Sequence, residues 1–389
     1  MIRMCMITHD QIEKKNPRAD LVRFRSLGET LARYSIDVVF VTLNDKAGYE
    51  RGYYRNSEVY KIPMLSRMKL IQLICFCIFL LPVMFLARRG GRFDIIFVNS
   101  ILSIPAALIF RWLSGHGIIQ FDLMGIVSEE RFLQKPKSLW TGMVKKIVSS
   151  TENFLLSWVD FVTTINEKHK QLIMSRIKRP VHVIRDGVHE EVLRRAPTLK
   201  KDEKSASKIL LIFIGQLSHF RLDTLLRIMP DLLADFPLLE LLIVGSGSQS
   251  ARYIEMTKCL GLKDKVIFKG HVPHEKIFDF IEMADIAYSD DWSINGFPMK
   301  IFEYMAMGKP VVAESTEGIR ELLIDHVNAL LYENGKQLRE KILSLARDGK
   351  FRREIGENAK QMMNQFTWEK SVKDLNSIYR RHLSQHGTI

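Results

Sequence analysis

Short apolar runs alternate with amphipathic stretches of helical period along most of this chain. Ile2–Thr8 and Asp37–Leu43 read as buried strands, and Leu21, Phe24, Leu27 and Leu31 set a helix over 21–34 between them. The short connections make such a pair of strands parallel. Phe93–Ser100, Gly117–Phe121, Phe161–Ile165 and Val181–Ile184 continue as strands, with helices over Pro105–Ser114, Leu139–Trp158 and from Glu167 onward. Asp122 then stands at a strand end, ahead of a turn at Met124-Gly125. From about Glu190 the sequence turns charged and loses periodicity, which marks a linker over 189–208. The alternation restarts at Ile209–Ile214 and repeats through Glu240–Val244, Val266–Lys269, Ile286–Ser289 and Val311–Ala313, with helices between. The fold class is therefore α/β: two doubly wound parallel-sheet (Rossmann-like) domains, over 1–188 and 209–365. A last amphipathic helix, Phe366–His382 within 366–389, is expected to pack back toward the first domain.

Ligands of such sheets bind beyond the carboxyl ends of the strands, so the polar loop His9–Asp20 faces a site. It lacks the Gly-rich phosphate fingerprint, and a substrate loop and an ordinary surface loop both remain open. The most apolar stretch, Lys69–Ala87, approaches the roughly 20 residues that span a bilayer. Gln72 and Pro82 interrupt it, and an apparent core strand follows at once. A buried helix, or one lying in a membrane interface between basic flanks, fits better than a span, and contact through 68–87 is one expectation.

With 389 residues, 47% of them hydrophobic and 26% charged, the chain is globular and large enough for two cores. Its four cysteines form no CxxC pair and no zinc or disulfide spacing, so a reducing cytosol is the simplest setting. The N-terminal strand–loop–helix–strand pattern is not that of a signal peptide. A cytoplasmic location follows as the expectation, at or near the cytoplasmic face of a membrane. The net charge of +13 favours anionic partners, nucleotides and anionic headgroups among them. No helix-turn-helix, zinc-finger or aromatic RNA-binding pattern is present, so nucleic acid is not expected.

The densest chemistry lies in NGFPMKIFEYMAMGKPVVAE, Asn295–Glu314. Asn-Gly-Phe-Pro is turn chemistry, a helix runs from about Met299 to Met307, and Gly308 with Pro310 ends it. A helix N-terminus after a Gly/Pro loop suits a phosphate or pyrophosphate. Lys300 adds positive charge there, and Glu303, one turn in, suits the two hydroxyls of a ribose. Taken alone, a solvated helix carboxylate explains Glu303 equally well.

Several stretches together resemble family 4 of the retaining, nucleotide-sugar-dependent glycosyltransferases, which have the GT-B fold of two such domains facing across a cleft. VIRDGVHEE at 183–191 is similar to that family's interdomain turn, and LIFIGQLSHFRLDTLL to its first C-domain strand and phosphate loop. LLIVGSGSQ, VIFKGHVPHEKIFDFIEMADI, NGFPMKIFEYMAMGKPVVA and FTWEKSVKDLNSIY resemble its later strand ends, donor motif and closing helix. The resemblance implies that Glu303 holds the donor ribose. It also puts the backbone N–H groups of Met299 and Lys300 before the phosphates, with Phe297, Pro298 and Gln216 among the donor-binding residues and Arg221 neutralising the pyrophosphate. Gly215 and Gly245 allow close approach, and His271-Val272 flank the nucleobase. The sequence departs from the family pattern at three positions. Asn295 replaces the first glutamate of a pair, Gln216 a usual arginine, and Met124-Gly125 a His-Gly element. Neither His116 nor Asp122 is marked as the replacement, although Asp122 is carried as a catalytic candidate with Asn295, Arg221, Lys300 and Glu303.

The expected reaction is sugar transfer from a UDP- or GDP-sugar to a glycan or lipid-linked hydroxyl with retention, needing no metal and no cofactor. His271 and His274 lack a third ligand, and Asp290-Asp291 reads as a polar turn. A binding protein without turnover and a nucleotide-sugar epimerase are the alternatives.

Overall fold

The computed structural model describes residues 1–14, 18–34, 36–66, 68–126, 138–195, 208–217, 222–290 and 297–385. The chain forms two compact units, Met1–Asp186 with Trp368–Ile389, and Gly187–Thr367.

The first unit is laid out as β1 (Ile2–Ile7), α1 (Ala19–Arg33), β2 (Ile36–Leu43), β3 (Glu50–Tyr54), β4 (Ser57–Ile62), α2 (Lys69–Ala87), β5 (Ile95–Val98) and α3 (Ile104–Ser114). It continues through β6 (Ile118–Leu123), α4 (Leu139–Leu156), β7 (Phe161–Thr164), α5 (Glu167–Met174) and β8 (Val181–Val183). The eight strands run in the order β3-β4-β2-β1-β5-β6-β7-β8, parallel throughout except for the β3–β4 hairpin. That hairpin has no counterpart in the sequence reading. Its Arg55-Asn56 turn carries Arg55 at φ 53 without the Gly that usually marks such turns, and β3 is a charged edge strand.

Side chains of a strand alternate between the two faces. Ile119, Phe121 and Leu123 of β6 join the core beneath α2, α3, α4 and α5. Gln120 and Asp122 point to the other face, which α1 covers. The strand reaches Leu123, so Asp122 lies inside it rather than beyond its end. Phe76, Leu80, Val83 and Met84 seat α2 on β2 and β4, which makes the apolar helix a layer of this unit.

The second unit carries α6 (Glu190–Arg194), β9 (Ile209–Ile214), α7 (Asp223–Asp235), β10 (Leu239–Val244), α8 (Ser250–Cys259), β11 (Val266–Gly270), α9 (Ile277–Met283) and β12 (Ile286–Ser289). Then come α10 (Met299–Ala306), β13 (Val311–Glu314), α11 (Glu317–Arg320), β14 (Leu330–Tyr332), α12 (Gly335–Arg347) and α13 (Gly349–Met363). Its six strands, all parallel, lie in the order β11-β10-β9-β12-β13-β14. One face packs under α7, α8 and α12, the other under α9, α10 and α11. Val188 and Val192 are buried in this second core, and 196–207 of the expected linker lie outside the described residues. The chain enters and leaves the unit side by side, with a parallel bridge between Val188 and Thr367.

The last helix, α14 (Trp368–Gln385), belongs to the first unit. Ser371 Oγ donates to Arg185 O at 2.8 Å and Tyr379 OH donates to Gln120 Oε1 at 2.5 Å.

Candidate active site

Counted from β9, the second sheet has the order 3-2-1-4-5-6, with its topological switch between β9 and β12. Ligands of open α/β sheets bind beyond the strand ends at such a point. Gly215 follows β9 directly and Asp290 follows β12. The Gly215 N–H donates to Val244 O at 3.0 Å, and the Gly245 N–H donates to Gly270 O at 2.8 Å. Gly245 has φ 141, and a Cβ there would lie 1.9 Å from Gly215 O. Only glycine lets the two strand ends lie this close, which keeps the rim of the sheet free of side-chain bulk.

The helix α10 is bound to that rim. Every residue from Lys300 to Ala306 is buried. The Ile214 N–H, at the end of β9, donates to the Tyr304 hydroxyl at 2.7 Å. Burial raises the Tyr304 pKa well above its ordinary value, so the hydroxyl stays neutral. Phe297 packs edge-on against Phe302 at 4.7 Å and fixes the approach of the chain. Beyond the helix, Gly308 at φ 68 takes the left-handed position expected of it, its N–H donating to Met305 O at 2.9 Å.

This scaffold brings Lys300 and Glu303 to one side of the helix, three residues apart. Lys300 Nζ lies 4.3 Å from the centre of the Phe213 ring of β9 and 3.7 Å from Asp290 Oδ1. The ammonium thus sits at the switch point itself, over an aromatic face that favours a cation. Glu303 is buried, and its Oε1 lies 2.6 Å from His274 Nε2. A carboxylate only accepts, so the Nε2–H of His274 donates. His274 is half-buried and opens a single 3-10 turn after β11.

His274 is the site residue that sequence reasoning passed over, weighing it only as a metal partner of His271. The available signal was its place directly after β11. His271 itself is exposed and Val272 is half-buried against the second core. Gln216 is exposed beside half-buried Gly215, and Pro298 and Met299 are half-buried at the start of α10. Arg221 and Asn295 lie outside the described residues.

Asp122, expected at a strand end, lies inside β6. It is buried in the first unit, where Arg23 Nε and Nη2 donate to its two oxygens at 2.8 and 2.9 Å and Thr163 Oγ1 donates at 2.7 Å. Arg23 Nη1 donates to Asp186 Oδ1 at 2.8 Å. Burial opposes the charge of Arg23, but Asp122 and Asp186 together raise its pKa above the ordinary value. The strand register turns Asp122 inward, toward α1, and fills its acceptors with partners of its own unit.

A glycine-rimmed doubly wound sheet with a lysine at its switch point and a ribose-suited carboxylate one turn further on defines a nucleotide-binding α/β domain, and the whole chain has the GT-B fold. Residues 195–362 match the model of the family described as Glycosyl transferases group 1. An uncharacterized glycosyltransferase of Methanocaldococcus jannaschii is 28% identical over 232 residues, 57% of this chain and 58% of that protein. The D-inositol 3-phosphate glycosyltransferase of Corynebacterium diphtheriae is 25% identical over 179 residues, 44% of this chain and 42% of that protein. The chain thus spans well under two thirds of the length of these curated relatives. Among solved structures, sucrose-phosphate synthase from Thermosynechococcus elongatus superposes with a TM-score of 0.77 at 17% identity, covering 99% of this chain and 100% of that one. Anabaena HepE in complex with UDP and glucose gives 0.74 at 17% identity, covering 98% and 100%.

Proposed function

We propose that the protein transfers a sugar from a nucleoside-diphosphate sugar to an acceptor hydroxyl of a glycan or lipid-linked precursor, with retention at the anomeric carbon and without a metal. The observation that carries this reading is the pairing, on α10 at the switch point, of Lys300 over Phe213 with Glu303 against His274. Transfer breaks the bond between the anomeric carbon and the diphosphate, and negative charge grows on the departing phosphate oxygen. Preorganised positive charge where that charge develops is the term that usually dominates such catalysis. Lys300 and the N-terminal end of the α10 dipole supply it. Glu303, oriented by His274, accepts the ribose hydroxyls and fixes the nucleotide. A uridine nucleotide is the favoured donor class, because the HepE structure was solved with UDP and glucose.

The test is a donor screen. The chain is incubated with UDP-, GDP- and ADP-sugars, and released nucleoside diphosphate is followed with Glu303→Ala alongside. Release from one donor, lost in the variant, is the expected outcome. Tight binding of a donor without release, even with lipid and glycan extracts added, would make the protein a non-catalytic binder. Inversion at the anomeric carbon of the product would remove the retaining assignment.

A further inference from the structure

The first unit carries an apolar outer surface that its fold does not use. Leu70, Ile74 and Ile78 are exposed at four-residue spacing on α2. Ile109, Trp112 and Leu113 form the matching exposed stripe on α3, and Trp140, Met143 and Ile147 that on α4. The opposite sides of α2 and α3, with Leu156 at the end of α4, enter one core over the same sheet face. The α2 and α3 helices touch, and α4 meets the turn Ile101–Ser103 that leads into α3. The three stripes therefore belong to one outer layer.

Its chemistry is specific. Three of the five tryptophans of the chain are exposed here, Trp112 at 81%, Trp140 at 69% and Trp158, just beyond α4, at 51%. Tryptophan is the side chain most at home at the boundary between water and hydrocarbon. No acidic residue occurs on α2 or α3, and the single one on α4, Glu152, is 1% exposed. Lys69, Arg89 and Lys146 stand exposed around the stripes. A face that combines aromatic and aliphatic side chains with a basic rim, and shows no exposed acidic group on the three helices among the described residues, complements an apolar layer bearing negative charge.

We propose that the α2–α3–α4 face seats the protein on a bilayer carrying anionic headgroups. The contact lies in the interfacial plane and is not a span, because the inward side of α2 is held in the sheet core. It widens the contact expected on 68–87 to three helices, and it stands whether or not the transfer reading holds.

Flotation of the full chain with vesicles tests it, in two compositions: zwitterionic lipid alone, and zwitterionic lipid with anionic phospholipid. The chain is expected to float with the second at 0.1 M salt, more weakly with the first, and to be released as salt rises. Trp112→Ser with Trp140→Ser should lower partitioning about tenfold, and Lys146→Ser about fivefold, at unchanged melting temperature. Brominated lipid should quench the tryptophan fluorescence of the bound parent. A chain that stays in the dense fraction with anionic vesicles overturns the proposal. So does binding that the paired tryptophan change leaves intact, or a self-associated species in ultracentrifugation that buries these tryptophans and does not float.

Discussion

Each unit holds a buried cation with carboxylate company, and the two clusters are built to different ends. In the first unit Arg23 is fully buried and gripped by two carboxylates through three bonds of 2.8 to 2.9 Å. In the second, Lys300 Nζ lies 3.7 Å from Asp290 Oδ1 and over the ring of Phe213. A charge-assisted hydrogen bond is about an ångström shorter than that ion pair. The Arg23 cluster has the geometry of a clamp. It ties α1, β6 and Asp186, the last residue of the first segment of its unit, into one piece. The Lys300 cluster lies at the rim of its sheet, where a ligand of opposite charge gains most. Burial and charge are alike in the two clusters; bond length and position on the sheet differ.

Breaking the clamp gives the largest expected effect. Arg23→Met leaves Asp122 and Asp186 buried without their cation, which costs roughly 3–5 kcal/mol. Thermal unfolding should move down by about 10 °C, while donor turnover per folded molecule holds. Asp122→Asn sharpens the contrast, since a merely structural Asp122 lowers stability and not kcat. If that variant keeps its melting temperature and loses turnover, the clamp reading fails.

Lys300→Met should do the reverse. A Met side chain still fills the space beside Phe213 and the ion pair lost is a longer one, so melting should fall less than for Arg23→Met, whereas nucleoside diphosphate release should fall by roughly 10²–10³, the usual loss when one stabilising group of this kind is removed. A variant that unfolds would place Lys300 with Arg23 among the clamps.

A third buried group sharpens the comparison from the uncharged side. His169, in the first turn of α5, is buried, and neither ring nitrogen has a hydrogen-bond partner among the described residues. Burial lowers its pKa from 6.5 to about 4, with Lys168 adding to the effect. The unfolded chain therefore binds the proton that the folded chain refuses between those values. The stability contributed by neutral His169 is whole above pH 6.5 and is lost as pH falls toward 4, by roughly 3 kcal/mol. Denaturant titrations across that window should show the slope, and His169→Phe should flatten it.

These clusters also show what the sequence could reveal. Lys300 and Glu303 were legible because a helix, its Gly/Pro entry and its glycine exit fall within one short stretch, so their common face follows from local period. The two doubly wound sheets were legible for the same reason, strand by strand. The Arg23 clamp joins residues 99 and 163 positions apart, and no local pattern announces it. Asp122 looked like a strand-end carboxylate because one further residue of β6 decides whether it lies inside the sheet. The β3–β4 hairpin was silent because its turn residues are Arg55-Asn56.

The smallest expected effect concerns the pair His274–Glu303, 29 residues apart in the chain and 2.6 Å apart in space. If Glu303 holds a ribose, both its oxygens need a fixed direction, and the Nε2–H of His274 supplies it by occupying one lone pair of Oε1. His274 is then a positioning residue that never touches the reacting bond. His274→Ala should raise the donor KM about tenfold, the cost of one charged hydrogen bond, and leave kcat nearly unchanged. His274→Gln, which returns an N–H donor at a similar reach, should recover part of the loss. A fall in kcat with KM unchanged would move His274 into the chemistry itself, whereas equal loss in both variants with a lower melting temperature would make it part of the packing around α10.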